Sequence, residues 1–318
     1  EHMLREDVIL LMDELPRLKL ILEKYSTSLN ATDFGYIHED LMMPVNQFLK
    51  KHDLRFVAQV IMPHLSSFGF GCMNQLQAYY VFKTFNVDTL YAFIRGEKLL
   101  LINKGTSELI AKLSQKISDI RYSLEVNNIE VVDHKVKVET PYSIDYFDKV
   151  LITTKLPRDV IKDQLYNELM KKIDTNPFIV CVYEVKNNDL ATTYYKAHLG
   201  QKGKIQFFFA SKQHNRTILT AYTYGTIEKD IIDGITSDIQ KLGIHIKQLI
   251  TVKQWYIFPH LKAHNLTQTF YKELNDRQKI SNICLIGSLV SKPCIDNLYV
   301  SVKNSIGKLI ACSPNVGE

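Results

Sequence analysis

Leu4, Val8, Leu11, Leu15, Leu18 and Ile21 recur at intervals of three and four residues, the spacing of an apolar stripe on a helix. Pro16 predicts a bend or a division in that helix, because proline has no N–H and its ring presses on the preceding turn. Asn30-Ala31-Thr32-Asp33-Phe34-Gly35 breaks the pattern. Residues 38–54 then predict a second helix, with Thr32 and Asp33 as cap candidates. Residues 56–64 predict a third, Phe68-Gly69-Phe70-Gly71 a turn, and residues 73–85 a fourth.

The texture changes at Leu99. Leu99-Leu100-Leu101-Ile102 predicts a short strand, and Lys104-Gly105-Thr106 a turn. Leu109, Ile110, Leu113 and Ile117 give residues 107–117 one apolar face. Four β-branched runs follow, at 121–124, 128–132, 135–140 and 149–154, each bounded by turn residues. Val136-Lys137-Val138 alternates as a half-exposed strand does. Further strands are predicted at 177–186, 204–210, 217–224 and 251–258. Residues 227–242 form an amphipathic helix closed by Gly243, and 264–280 are expected to be helical in their first part. Near the end, Ile283-Cys284-Leu285-Ile286 stops at Gly287-Ser288, and a helical pattern follows. The alternation of types predicts an α/β or α+β fold, with a mixed sheet, whose two domains share the chain in alternating pieces.

Composition narrows the classes. The 318 residues allow one large domain or two interlocked ones, and 46% hydrophobic with 23% charged residues is ordinary for a globular protein with a real core. The net charge of +5, from 39 basic and 34 acidic residues, is mild and interspersed, so no nucleic-acid partner is expected. Five cysteines without a CxxC pair argue against a metal or disulfide framework. No apolar run reaches the roughly 18–20 residues of a membrane span, and no signal peptide is visible, so a reducing cytoplasmic setting is expected. Glu1-His2-Met3 reads as a cloning junction.

The sequence contains no GxSxG, HExxH, GxxxxGK[ST] or EF-hand pattern. Its ten histidines are scattered, and pairs such as Glu39-Asp40 read as helix N-terminal charge. A different set of pieces stands in order. It comprises the turn and helix at Lys104-Gly105-Thr106-Ser107-Glu108-Leu109, the segment Leu124-Glu125-Val126-Asn127-Asn128-Ile129, and the return strand Val136-Lys137-Val138-Glu139-Thr140. Phe147-Asp148-Lys149-Val150-Leu151-Ile152-Thr153-Thr154-Lys155-Leu156-Pro157 follows, then Trp255-Tyr256-Ile257-Phe258-Pro259-His260, and finally the stretch at Gly287-Ser288. Ahead of them stand Asp40-Leu41-Met42-Met43-Pro44-Val45, Phe68-Gly69-Phe70-Gly71 and Ala78-Tyr79-Tyr80.

This order resembles the flavin-dependent amine oxidase superfamily, in the branch of polyunsaturated fatty-acid isomerases and cyclopiazonate-type dehydrogenases, over roughly residues 4–312. The resemblance implies FAD as cofactor. It implies Val126 at the adenine, Thr153, Thr154 and Pro157 beside the dinucleotide, and Gly287 where the backbone nears the cofactor. It puts Ile295, Asp296 and Asn297 at a helix N-terminus aimed at the flavin ring, and Trp255 and Tyr256 on the substrate face. Ser288 stands where the family usually has an acidic residue. No residue stands out as an acid–base catalyst, and Tyr256 is the best of a weak field. The implied organisation is a helical part of the substrate domain at 4–95, an FAD-domain segment at 96–157, the substrate-domain sheet and helices at 158–260, and a C-terminal FAD-domain segment at 261–318.

The family opens with a strand, a GxGxxG turn and a helix, and this sequence lacks that unit. Two explanations stand: the unit lies upstream, which the junction at Glu1 to Met3 favours, or the protein is a degenerate relative without FAD. Either way, this chain alone is expected to hold FAD weakly or not at all, to be inactive, and to carry an open sheet edge that invites self-association. When complete, it would be an FAD-dependent oxidoreductase or isomerase. It would take a hydride from an apolar small molecule, fatty-acid-like or amine, bound between the N-terminal helices and a sheet carrying Phe207, Phe208, Phe209 and Tyr222-Thr223-Tyr224. An amine or amino-acid oxidase proper would need a carboxylate clamp or an aromatic cage. The alternative from another class is a cofactor-free binding or assembly module.

Overall fold

The computed structural model describes residues 5–311 except 96, 98–104, 158, 188 and 214. The strand expected at 99–102 lies outside the described residues. The chain opens with α1 (Arg5–Glu23), α2 (Ser26–Leu29), α3 (Val45–Lys51), α4 (Arg55–Ser67), α5 (Ala78–Thr84), α6 (Val87–Ile94) and α7 (Thr106–Ser114). Then come β1 (Asn128–Val132), β2 (Lys135–Glu139), β3 (Ile144–Phe147), β4 (Val150–Ile152), α8 (Gln164–Lys172) and β5 (Ile173–Val185). The last part holds β6 (Thr193–Tyr194), β7 (Ile205–Gln213), β8 (Arg216–Tyr224), α9 (Lys229–Gln240), β9 (Ile246–Leu261), α10 (Phe270–Gln278), β10 (Ile283–Leu285) and α11 (Ile295–Ala311).

The stripe of α1 is buried at Leu11, Leu15 and Leu18, as its spacing predicts. Pro16 neither ends nor divides the helix. The bond it removes falls on the carbonyl of Met12, on the exposed side, where water can serve as the partner. Glu14 points inward instead and accepts hydrogen bonds from the N–H groups of Arg55, Phe56 and Val57, each at 2.9 Å. The residue before α4 is Leu54, which has no side-chain acceptor, so a carboxylate from another helix caps it.

The helix expected over 38–54 is two pieces, a 3-10 turn at Glu39–Met42 and α3. Pro44 forces Met43 into an extended conformation and splits them. The first piece is capped by His38, whose ring nitrogen accepts from Asp40 N–H at 3.2 Å, and not by Thr32 or Asp33. The fourth helix begins at Ala78 and not Met73, and α6 follows it unpredicted. At 264–280 the order is the reverse of the expectation: a 3-10 turn at Ala263–Asn265, a non-helical link and turn whose Gln268 carbonyl accepts from Ile37 N–H at 3.0 Å, and only then α10.

Three sheets form. β1, β2 and β3 make an antiparallel meander, β4 and β10 a parallel pair, and β6-β7-β8-β5-β9 a five-stranded antiparallel sheet. Residues 121–124, expected to be a strand, are turn and irregular, because no strand of the described residues lies beside them to pair with.

One face of the large sheet, with Ile179, Cys181, Tyr183, Phe208 and Leu219, closes on Ile231, Ile235 and Ile239 of α9. The other face carries a run of stacked rings, Tyr194 on Phe207 (5.4 Å) and Phe207 on Tyr222 (4.5 Å), and it meets Phe68 just beyond α4. Of the residues expected to line one pocket, Phe208 and, by alternation with Leu219 and Ala221, Thr223 therefore point away, into the α9 side, as the pleat requires. Tyr224 pins the layers together: its hydroxyl donates to the Ser66 carbonyl (2.5 Å) and accepts from Gly71 N–H (2.9 Å).

The apolar face predicted around α7 is not covered. Ile110 and Leu113 of the helix and Ile117 just after it are all exposed. Among the described residues no helix is long and apolar enough to cross a membrane, no metal-ligating group of three or more forms, and Cys72, Cys181, Cys284 and Cys294 are free thiols.

Candidate functional site

β4 and β10 run side by side, with Val150 opposite Ile283 and Ile152 opposite Leu285. The pairing ends where Ile286 N–H donates to the Ile152 carbonyl at 2.9 Å. Gly287 then turns the chain with φ of 70°, a left-handed conformation that glycine adopts without a steric cost. Its carbonyl accepts from the Ser291 hydroxyl at 2.9 Å, which locks the turn. A side chain built on Gly287 would stand 4.0 Å from the Thr153 carbonyl. Two strand ends and a bare glycine backbone thus converge at one point.

Residues 31–34 brace this turn from behind. Phe34 N–H donates to the Val290 carbonyl at 2.7 Å, and the Asn297 side chain on α11 donates to the Thr32 carbonyl at 3.0 Å. Lys83, only 4% exposed, donates to the carbonyls of Ala31 (2.5 Å) and Asp33 (3.0 Å). Burial pushes its ammonium down to about 8, partly opposed by Asp33.

The facing wall comes from β9. Its register against β5 slips where Asp174 pairs with His260 and Asn176 with Ile257, so Phe258 and Pro259 together oppose Thr175. Phe258 has φ of 56°, a conformation a bulky side chain holds only when its surroundings enforce it. They do: its ring packs on Phe70 (4.7 Å) and His260 (5.0 Å), and the His260 ring nitrogen donates to the Phe258 carbonyl at 2.8 Å. Burial pushes the His260 imidazole below its ordinary value.

Between these walls lies a cleft of about 750 Å³. Thr154, Pro157, Trp255, Tyr256 and Ser288 all line it. Trp255 pairs across the sheet with Phe178 and is 55% exposed, so the single tryptophan is not a core anchor. Tyr256, opposite Pro177, is 65% exposed. Thr153 and Gly287 stand at the strand ends beside Thr154 and Ser288.

Three expected site residues stand apart. Val126 is half-buried against the main core, two residues before β1, and does not line the cleft. Ile295 and Asp296 open α11 and are exposed, while Pro293 just before them reaches the cleft. Sequence reasoning missed Thr175, Lys155 and the bulge, though a proline inside a strand pattern is a bulge signal.

No family model and no curated protein matches the sequence. Solved structures do match. The chain superposes on a fatty acid isomerase from P. acnes with a TM-score of 0.83 and 20% identity, over 94% of this chain and 74% of that one. A redesigned putrescine oxidase gives 0.67 and 11%, over 98% and 77%. Cyclohexylamine oxidase from Brevibacterium oxydans gives 0.56 and 10%, over 95% and 76%. The chain has the fold these oxidases and the isomerase share. Within that amine-oxidase fold, the cleft lies at the carboxyl ends of the parallel pair β4 and β10, where open parallel sheets hold their ligands.

Proposed function

We propose that the cleft is the flavin side of an FAD-dependent oxidoreductase or isomerase that acts on an apolar small molecule. The observation that carries this reading is the convergence of Gly287 and Thr153 at two parallel strand ends, opposite Trp255 and Tyr256. The residues fit a flat cofactor: Gly287 puts no side chain between the two strand ends, and Thr154, Pro157 and Ser288 beside it add a mixed polar and apolar lining. Bound there, FAD would supply the hydride acceptor. Trp255 and Tyr256 would give the substrate an aromatic wall, and the bulge at Phe258 would fix the distance from that wall to the strand ends. Tyr256 is the residue we assign to any proton held at the substrate face. The aromatic lining supports a fatty-acid-like or amine substrate.

The sequence has no GxGxxG turn to hold a pyrophosphate, so this chain should bind FAD weakly. Because Trp255 is the only tryptophan and lines the cleft, its emission reports on the site. Titration with FAD, corrected for flavin absorbance, should give weak, saturable quenching that Gly287→Val removes. Emission unchanged up to saturating FAD rejects the cofactor site. A tight stoichiometric complex rejects the expected weakness.

A second reading, a cofactor-free binding or assembly module, is favoured by the uncovered face at Ile110, Leu113 and Ile117. It predicts no quenching and a surface that still associates.

A further inference from the structure

A separate cavity, of about 550 Å³, is lined from α1, α5, the start of α6 and the start of α11. It shares no lining residue with the cleft at Trp255. Its volume lies within the range of small-molecule sites, about 300–1,000 Å³. Three lysines line it: Lys19 of α1, Lys83 of α5 and Lys292 just before α11. Two carboxylates, Glu23 and Asp88, line it as well. None of the five forms an ion pair among the described residues, so the lining carries one net positive charge.

Lys83 sets this cavity apart from an ordinary charged surface, because it is only 4% exposed. An ammonium has three N–H donors. Two of them go to the carbonyls of Ala31 and Asp33, and the third has no acceptor among the described residues. Burial first, and then the like charge of Lys292, push the ammonium down to about 8, against the pull of Asp33. Two cations that repel each other at one cavity are both relieved by an anion placed there. More donors stand beside them. The N–H groups of Val87 and Asp88, in the first turn of α6, have no acceptor among the described residues.

We propose that this cavity binds a small phosphate monoester, with its phosphate held by Lys83 and Lys292 and its organic part against Leu22, Leu29 and Phe82. A phosphate monoester brings about two negative charges and three strong acceptor oxygens, enough for two ammonium groups and a helix start at once. The cavity is larger than a bare phosphate ion needs, and those three apolar residues give the remainder a floor. The inference is independent of the flavin reading, since nothing in it uses the cleft.

The test is calorimetric titration of the 318-residue chain with phenyl phosphate and, in parallel, with inorganic phosphate. One phenyl phosphate should bind per chain, at least tenfold more tightly than inorganic phosphate, and Lys292→Gln should weaken it at least tenfold. Trp255 emission should not change on saturation. A bound anion favours the charged form of Lys83, so at about pH 9, just above its folded value of about 8, binding should take up protons. The heat should then depend on the buffer in the parent chain and not in Lys83→Met. Lys292 is part-exposed, so its variant tests the idea even if Lys83→Met fails to fold. Any of five results overturns the proposal: no saturable binding, equal binding of inorganic phosphate, affinity unchanged in the folded Lys292→Gln variant, no proton uptake, or quenching of Trp255, which would put the phosphate in the cleft.

Discussion

Thr153 and Gly287 face each other across the ends of two parallel strands, 134 residues apart in the chain, with room for a methyl group between them at 4.0 Å. Space is therefore not what excludes a side chain at 287; the φ of 70° is. Gly287→Ala should cost about 1–2 kcal/mol in urea unfolding. Gly287→Asn, which tolerates that conformation, should cost less. Equal losses would mean that backbone strain is not the cause.

Glu14 holds three N–H groups of α4 from a neighbouring helix. Charged acceptors at a helix N-terminus are stronger than neutral ones, so Glu14→Ala should cost about 2–3 kcal/mol and Glu14→Gln about half as much. The denaturation midpoint should fall at constant slope.

Gly200 lies against Cys72: a side chain on it would come within 2.0 Å of the Cys72 sulfur and 3.3 Å of its Cβ, with φ of 75°. Gly200→Ala should cost about 2 kcal/mol or more. Adding Cys72→Ala should recover only part, because the strained backbone and the Cβ contact remain. Full recovery in a double-mutant cycle would assign the loss to the sulfur alone.

Lys83 gives a distinctive alkaline profile. Its folded value of about 8 lies below the ordinary 10.5, so between those values the folded chain binds fewer protons than the unfolded one. Lys83 should therefore add stability as pH rises from about 8, with a slope of at most about 1.4 kcal/mol per unit, until the thiols of Cys72, Cys181, Cys284 and Cys294, which burial holds above their ordinary 9.0, oppose it. Above pH 10 the sign reverses, because burial holds Tyr80, Tyr224 and Tyr271 protonated when their unfolded counterparts ionise. Urea midpoints across this range should lose the rising limb in Lys83→Met and keep the falling one.

The bonds from Val150 and Ile152 face β10, so by alternation the main-chain groups of Leu151 face the other way, and its side chain is partly exposed. Among the described residues no strand pairs with that edge of β4, and an open strand edge recruits other strands. Sedimentation should show concentration-dependent self-association that Leu151→Pro reduces, since that substitution removes an outward N–H and leaves the β10 pairing intact. A monomer at every concentration contradicts this.

Where one physical signal dominated, reading the residues was enough. The alternation at Val136-Lys137-Val138 became β2, and Gly243 closed the helix of α9 with a φ of 72°. The glycine turn after Ile286 and the exposed pair Trp255 and Tyr256 fell at one cleft because each is a local feature: a strand end and a strand face. What failed was set by distant partners. Residues 121–124 have strand chemistry but pair with no strand among the described residues, and Val126 with them stays out of the cleft. The start of α10 waits for Gln268 to bond Ile37, a contact no window of sequence contains. The bulge at Phe258 depends on rings brought from Phe70 and Tyr80.

The Tyr224 hydroxyl, held by Ser66 and Gly71 at once, also fixes the helical layer on the sheet. Swinging the helical layer off the sheet would strand a buried phenol and two main-chain groups together, which makes that route a local melting event and not a hinge. Trp255 and Tyr256 meet solvent at the flank of the cleft, and exchange past them leaves the scaffold at rest.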